Sequence, residues 1–93
     1  MWMYKVAYDG TKFFGSQIQS NEITVEGELE KIIGLRCKLI SRTDRGVSAL
    51  CNILMMKERI NIGEVNSQLR HIVLWAEIEV KKLSEVKYRH YNK

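Results

Sequence analysis

The segment Ser-Arg-Thr-Asp-Arg-Gly at positions 41–46 carries the side chains of this chain that are best suited to chemistry. Asp44 stands two residues after Arg42, and a guanidinium at that spacing can keep a carboxylate ionised and oriented while it also meets a phosphate. Gly46 leaves room for close backbone approach. Residue types alone also fit a simpler interpretation, in which Asp44 and Gly46 form a turn and Arg42 makes a surface ion pair.

Short apolar runs at 37–40 and 52–57 predict strands on either side of this loop, so Asp44 follows the carboxyl end of a strand. Residues 2–8 alternate with a period of two and end at the turn pair Asp9-Gly10, which predicts a first strand. Alternation of Ala76, Ile78 and Val80 with charged residues predicts a fourth strand that has one apolar and one charged face.

Two helices are predicted between these strands. Thr24 can cap a helix over about 25–34 that Gly34 ends, with apolar residues repeating at helical spacing along one face. A second helix is predicted over about 63–71, with Asn61 or Gly63 near its start.

The resulting order β-α-β-β-α-β predicts an α+β protein of the ferredoxin-like class, with a four-stranded antiparallel sheet and two helices on one face. The expected spatial order of the strands is 4-1-3-2 or a close relative of it. A chain of 93 residues provides a single domain over 1–93. This fold specifies no function, so the function has to be argued from the site.

Composition, cysteine spacing and net charge favour some classes of protein over others. With 45% hydrophobic and 28% charged residues, and without an apolar run long enough to cross a bilayer or a signal peptide, the chain is expected to be soluble and cytoplasmic, with no membrane contact. Cys37 and Cys51 lack metal-ligand spacing, so we expect no metal site and two buried reduced thiols. The net charge of +4, concentrated near the end of the sequence, suits a polyanion such as nucleic acid.

Four segments follow one another along the chain: YDGTKFFGSQ at 8–17, TVEGELEK at 24–31, SRTDRGVSA at 41–49 and KYRHY at 87–91. In this order they resemble the TruA family of tRNA pseudouridine synthases. The third is similar to the catalytic loop of that family and is the most specific of the four. Ser41 stands where the family commonly has glycine.

The resemblance implies that a uridine in tRNA is detached at its N-glycosidic bond, turned and reattached through carbon, without a metal or an organic cofactor. It places the catalytic aspartate at Asp44, with Arg42 supporting it and Tyr91 lying against the target base; Tyr88 is the alternative aromatic residue. From their charge, the further RNA contacts expected are Lys12, Arg45, Lys87 and Arg89, although Lys12 and Arg45 as isolated residues also fit simple solvated cations.

The resemblance reaches only the N-terminal half of the family's catalytic domain, so we expect a homodimer or a separate chain that supplies the C-terminal half. Unpaired sheet edges would favour such association, and so would the side chains that alternation leaves on the face not covered by the helices, which are either Trp2, Tyr4 and Tyr8 or else Met3 and Ala7. Two functions remain: part of a pseudouridine synthase, or a non-catalytic RNA-binding or interaction module derived from one. Retention of Arg42, Thr43 and Asp44 favours the enzyme.

Overall fold

The computed structural model of the chain describes residues 1–19 and 21–80. Its elements follow the predicted order β-α-β-β-α-β, with a short 3-10 turn after the first strand. In chain order they are β1 (Trp2–Tyr8), the 3-10 turn (Gly10–Lys12), α1 (Val25–Ile33), β2 (Lys38–Leu39), β3 (Ala49–Met56), α2 (Ile62–Gln68) and β4 (Ile72–Glu79).

The four strands form one antiparallel sheet in the order β2-β3-β1-β4, which confirms the predicted spatial order. β1 lies inside the sheet and pairs with β3 on one side and β4 on the other. The register of β1 against β4 shifts between Lys5, which pairs with Ala76, and Val6, which pairs with Leu74. Trp75 is therefore the extra residue of a β-bulge.

Both helices begin at a side chain that caps them, and α1 ends at a glycine. The Thr24 hydroxyl accepts a hydrogen bond from the Gly27 amide at 3.1 Å, and Gly34 ends α1 in the left-handed conformation. Asn61 rather than Gly63 caps α2 and accepts from the Glu64 amide. In the part of the chain that the structure describes, no helix is long and apolar enough to cross a membrane.

The hydrophobic core lies between the sheet and the two helices. Alternation along β1 turns Tyr4, Val6 and Tyr8 into this core and leaves Met3 and Ala7 on the opposite face, which we call the open face. The other buried apolar residues include Val25, Leu29, Leu39, Leu54, Val65, Ile72 and Leu74. The fold thus places most aromatic side chains of β1 inside the protein.

β4 begins earlier than its sequence pattern predicts. The strand starts at Ile72, and its buried side chains are Ile72 and Leu74. Beyond the bulge the alternation changes sides, so that Ile78 pairs with Met3 of the open face and Glu77 pairs with the core residue Tyr4. The apolar face predicted around Ile78 is consequently exposed.

The two cysteines have different environments, and the expectation of two buried thiols is wrong for Cys51. Both are free, but Cys37 is buried and Cys51 is exposed, because Cys51 precedes the inward-facing Asn52 on β3 and therefore points away from the core. Burial, together with the charges of Glu30 and Glu26, raises the pKa of Cys37 to about 12.

Candidate active site

The loop 40–48 joins β2 to β3 at the end of the sheet where β1 ends and β4 begins. Asp44 lies at the tip of this loop with an exposed side chain, in a turn closed by the Val47 amide donating to the Asp44 carbonyl at 3.1 Å. Gly46 has a φ of +79°, and no heavy atom of the described residues lies within 4 Å of the place a Cβ would occupy. The turn needs its left-handed conformation rather than the room that the sequence suggested.

Asp44 borders a cleft of about 210 Å³ between the loop and the segment that follows β1. The exposed side chains of Arg42 and Arg45 line the same cleft. The Arg45 guanidinium lies over the Phe14 ring, 4.5 Å from its centroid, and makes a cation–π contact with it. Glu22 also lines the cleft, so that two acidic residues and two arginines border a space that is open to solvent.

Among the described residues, the one side-chain ion pair joins Arg59 to Glu77 at 3.1 Å, far along the sheet from the loop. Within this part of the chain, Arg42 therefore forms neither the surface ion pair of the simpler interpretation nor an ion pair with Asp44. Its guanidinium is available to a phosphate. In the same part of the chain, no three His, Cys, Asp or Glu side chains lie close enough together to hold a metal ion.

Buried Ser16 holds the loop on the side that faces α1. The Thr43 amide donates to the Ser16 hydroxyl oxygen at 2.8 Å, and the Ser16 amide donates to the Thr43 carbonyl at 3.0 Å. Gly15 precedes this pair with a φ of +97°, and a Cβ there would lie 3.2 Å from the Thr43 carbonyl oxygen. The loop backbone is therefore fixed at the residue immediately before Asp44.

Gly10 holds the other end of the loop. A Cβ on Gly10 would lie 1.9 Å from the Val47 carbonyl oxygen and 2.6 Å from the Ser48 amide nitrogen, so the two backbones meet at a distance that only glycine permits. The Gly10 amide also donates to the Ser48 hydroxyl at 2.8 Å. The 3-10 turn after β1 therefore packs directly on the loop.

A third set of hydrogen bonds begins at Asn52, a polar side chain that is only 2% exposed in the middle of β3. Its carboxamide donates to the Ser41 carbonyl at 2.8 Å and accepts from the Ser41 amide at 3.1 Å. It also donates to the Tyr8 hydroxyl at 3.1 Å, which lies 2.7 Å from the Thr43 hydroxyl. Buried polar groups of β1 and β3 thus contact the strand end from which the loop departs.

The structure brings together three of the residues that the sequence singled out, Asp44, Arg42 and Arg45, around one cleft. Lys12 is exposed at the end of the 3-10 turn and does not line that cleft. The remaining candidates lie outside the described residues; they are Lys87, Tyr88, Arg89 and Tyr91.

Sequence reasoning missed the three buried polar side chains that support the loop, Ser16, Tyr8 and Asn52. The sequence held a signal for each of them. Tyr8 and Ser16 both belong to the quoted segment YDGTKFFGSQ, and Asn52 is the one amide within an otherwise apolar run. A polar residue at an inward position of a strand requires a hydrogen-bond partner, and the nearest loop provides it.

No family model matches the chain, but individual proteins do. It is 38% identical over 94 residues to a protein named tRNA pseudouridine synthase A from Pyrobaculum islandicum, a match that covers 97% of this chain and 36% of that protein. Proteins with the same name from Pyrococcus abyssi and Pyrococcus furiosus are 41% and 42% identical, over 83% and 82% of this chain. The chain spans about a third of the length of these relatives. The matches confirm the resemblance that the motifs indicate.

Proposed function

We propose that this chain, a homologue of the tRNA pseudouridine synthase A family, provides the catalytic aspartate for the isomerisation of uridine to pseudouridine in tRNA, and that this residue is Asp44. The observation that supports the proposal best is the contrast within the loop. Asp44 is exposed beside Arg42 and Arg45, whereas the backbone at Ser41 and Thr43 is held by buried side chains.

The cleft suits a reaction on RNA. Exposed arginines attract phosphates, and a guanidinium can bind one of them in a bidentate manner. The target base must leave its stack before Asp44 can reach it, and an aromatic side chain would then lie against it. In our proposal Tyr91, or alternatively Tyr88, provides that aromatic ring, and Lys12, Lys87 and Arg89 add contacts to the RNA.

The reaction is an isomerisation, so its atoms balance without a co-reactant. The N-glycosidic bond breaks, the base turns and the bond to the sugar forms again through carbon. In our proposal, the carboxylate of Asp44 is the group that acts on the nucleotide. The detached base must be shielded from water while it turns.

That shielding requires more polypeptide than the described residues provide around Asp44, whose side chain faces solvent. We propose that a second copy of the chain, or a separate chain, covers the cleft. Exposed apolar side chains support association, because Val73, Trp75 and Ile78 on β4 are 45%, 48% and 41% exposed. Light scattering at micromolar concentration should therefore show an assembly, and a monomer that forms pseudouridine unaided would contradict this part of the proposal.

The central test replaces Asp44 with asparagine, a change that removes the charge and keeps the shape. Asp44→Asn should abolish pseudouridine formation in bulk tRNA and change the free energy of unfolding by no more than about 0.5 kcal/mol, because the side chain is exposed. Glu58→Gln is the matched control, since Glu58 is also exposed but follows β3 at the opposite end of the sheet. Pseudouridine formation by Asp44→Asn would exclude the role given to this residue.

The second candidate is a non-catalytic RNA-binding module. Solvent access to Asp44 favours it, because the exposed cations could bind phosphates without any chemistry. The two functions differ in one assay. A chain that binds tRNA and forms no pseudouridine, either alone or after association, would be the module.

A further inference from the structure

We propose that Asn52 is a positioning residue for Asp44, and that its carboxamide fixes the direction in which the loop leaves the sheet. The inference deepens the proposed function and rests on it for its catalytic consequence. It concerns a side chain on a central strand that does not line the cleft around Asp44.

The backbone ladder between β2 and β3 is short. It pairs Lys38 with Met55 and Leu39 with Leu54, and one further bond runs from the Ile40 amide to the Ile53 carbonyl at 2.8 Å. At the next residue, Ser41, the backbone amide and carbonyl are both bound by one side chain, that of Asn52. The carboxamide thus replaces a peptide group of the ladder and extends the pairing by one residue.

The same side chain reaches the loop a second time through Tyr8. Asn52 donates to the Tyr8 hydroxyl, which leaves the hydroxyl proton of Tyr8 free for Thr43 at 2.7 Å. Asn52 therefore supports Ser41 directly and Thr43 indirectly. Thr43 immediately precedes Asp44 in the sequence. Because Asn52 and Tyr8 are 2% and 5% exposed, water cannot easily replace these bonds.

Asn52→Asp tests this arrangement with an almost unchanged shape. A carboxylate can accept from the Ser41 amide, but it cannot donate to the Ser41 carbonyl or to the Tyr8 hydroxyl. The loop should then lose its fixed exit, and a displacement of about 1 Å at a reacting group can reduce a rate by about 100-fold. We expect kcat for pseudouridine formation to fall by about 10- to 100-fold, with KM for tRNA changed by less than about 2-fold, because the exposed cations of the cleft remain.

Asn66 offers a matched control within the same chain. Its carboxamide donates to the Leu74 carbonyl at 2.8 Å and accepts from the Leu74 amide at 2.9 Å, so it also pairs with one backbone residue through both polar atoms. It lies on α2 and contacts β4, away from the loop. Asn66→Asp should reduce stability through the same kind of loss and leave kcat of the folded protein unchanged.

Two measurements on the whole chain, with any associated partner, decide the matter. The first is the kcat and KM split for the two aspartate variants. The second is backbone amide exchange by NMR. Asn52→Asp loses the bonds to the Ser41 carbonyl and to the Tyr8 hydroxyl, so the loop should open more often, and exchange at the Ser41 and Thr43 amides should accelerate by about 10-fold or more although their own acceptors remain. Asn66→Asp should not accelerate it. If Asn52→Asp does not fold, Tyr8→Phe replaces it, because that change removes a single hydroxyl, and a loss of about 10-fold in kcat is expected.

The outcomes separate this inference from the proposed function. A folded Asn52→Asp variant with the kcat of the unmodified protein would overturn the inference. An equal loss of kcat in Asn66→Asp would overturn it as well. Where Tyr8→Phe replaces Asn52→Asp, an unchanged kcat in Tyr8→Phe has the same consequence. If the unmodified protein forms no pseudouridine, the proposed function fails. Amide exchange then decides alone whether Asn52 holds the loop, and unaccelerated exchange at Ser41 and Thr43 in Asn52→Asp refutes it.

Discussion

Replacing Gly10 with alanine should disturb the loop around Asp44 from outside the cleft. The added methyl group would lie 1.9 Å from the Val47 carbonyl oxygen and 2.1 Å from its carbon, and ordinary contact begins at 3.4 Å. The neighbouring atoms belong to backbone, which cannot rotate away. The 3-10 turn and the loop must therefore separate by about 1.5 Å.

The size of the effect follows from this displacement. Forcing a methyl group into a packed site costs about 1–3 kcal/mol, and the hydrogen bond from the Gly10 amide to Ser48 contributes roughly another 1 kcal/mol when it breaks. A total of about 2–4 kcal/mol should lower Tm by at least 8 °C or so for a chain of this size. A loop displaced by more than 1 Å should also lose about 100-fold in the rate of pseudouridine formation.

Thermal unfolding and a single-turnover assay with tRNA measure the two effects. Gly34→Ala is the control, because Gly34 has a φ of +80° and nothing lies within 4 Å of its Cβ position. It should cost about 1–2 kcal/mol through backbone strain alone and leave the rate of the folded protein unchanged. The reasoning is refuted if Gly10→Ala keeps the stability and rate of the unmodified protein, or if Gly34→Ala loses as much rate.

Two further predictions concern ionisable groups. At pH 8 an alkylating reagent should modify exposed Cys51 rapidly and spare Cys37, because burial raises the pKa of Cys37 to about 12. Mass spectrometry of the alkylated peptides measures both rates. Equal rates would contradict the different environments of the two thiols. The hydrogen bond from Arg59 lowers the pKa of Glu77, so the pair stabilises the fold above the ordinary carboxyl pKa and loses this contribution as the pH falls through the lowered value. Glu77→Gln should therefore flatten the acid limb of stability measured by urea unfolding between about pH 5 and pH 2, and an unchanged limb would show that the pair contributes nothing.

Local signals predicted much of the fold. The bounds of β1 follow from its alternation, and those of α1 follow from the Thr24 cap and Gly34, because each signal acts within a few residues. The early start of β4 could not be predicted in the same way. Its bulge at Trp75 depends on how β4 pairs with β1, and these residues are distant in sequence.

Some residues of the candidate site could likewise be predicted from the sequence, and others could not. Residue types and spacing identified Asp44 and its neighbouring arginines, because those residues are adjacent in sequence. The supporting side chains come from β1, β3 and the segment before α1, so their relation to the loop appears only when the sheet is assembled. The segment at 8–17 resembles a family motif, but this resemblance alone does not predict that Gly10 and Ser16 contact the loop.

The loop residues whose backbone is held by buried partners differ from the loop residues whose exposed side chains are proposed to act on RNA. Substitutions that affect the two groups should therefore differ in their effects on stability and on rate. Buried partners bind the backbone at Ser41 and Thr43, whereas the exposed side chains of Arg42 and Asp44 make no ion pair with each other. A change at a supporting residue should therefore lower both stability and rate, because one set of hydrogen bonds serves both. A change at the exposed tip should lower the rate alone. Asp44→Asn and Asn52→Asp are the two variants that distinguish these classes, since both alter one polar atom and only the second alters the position of the loop.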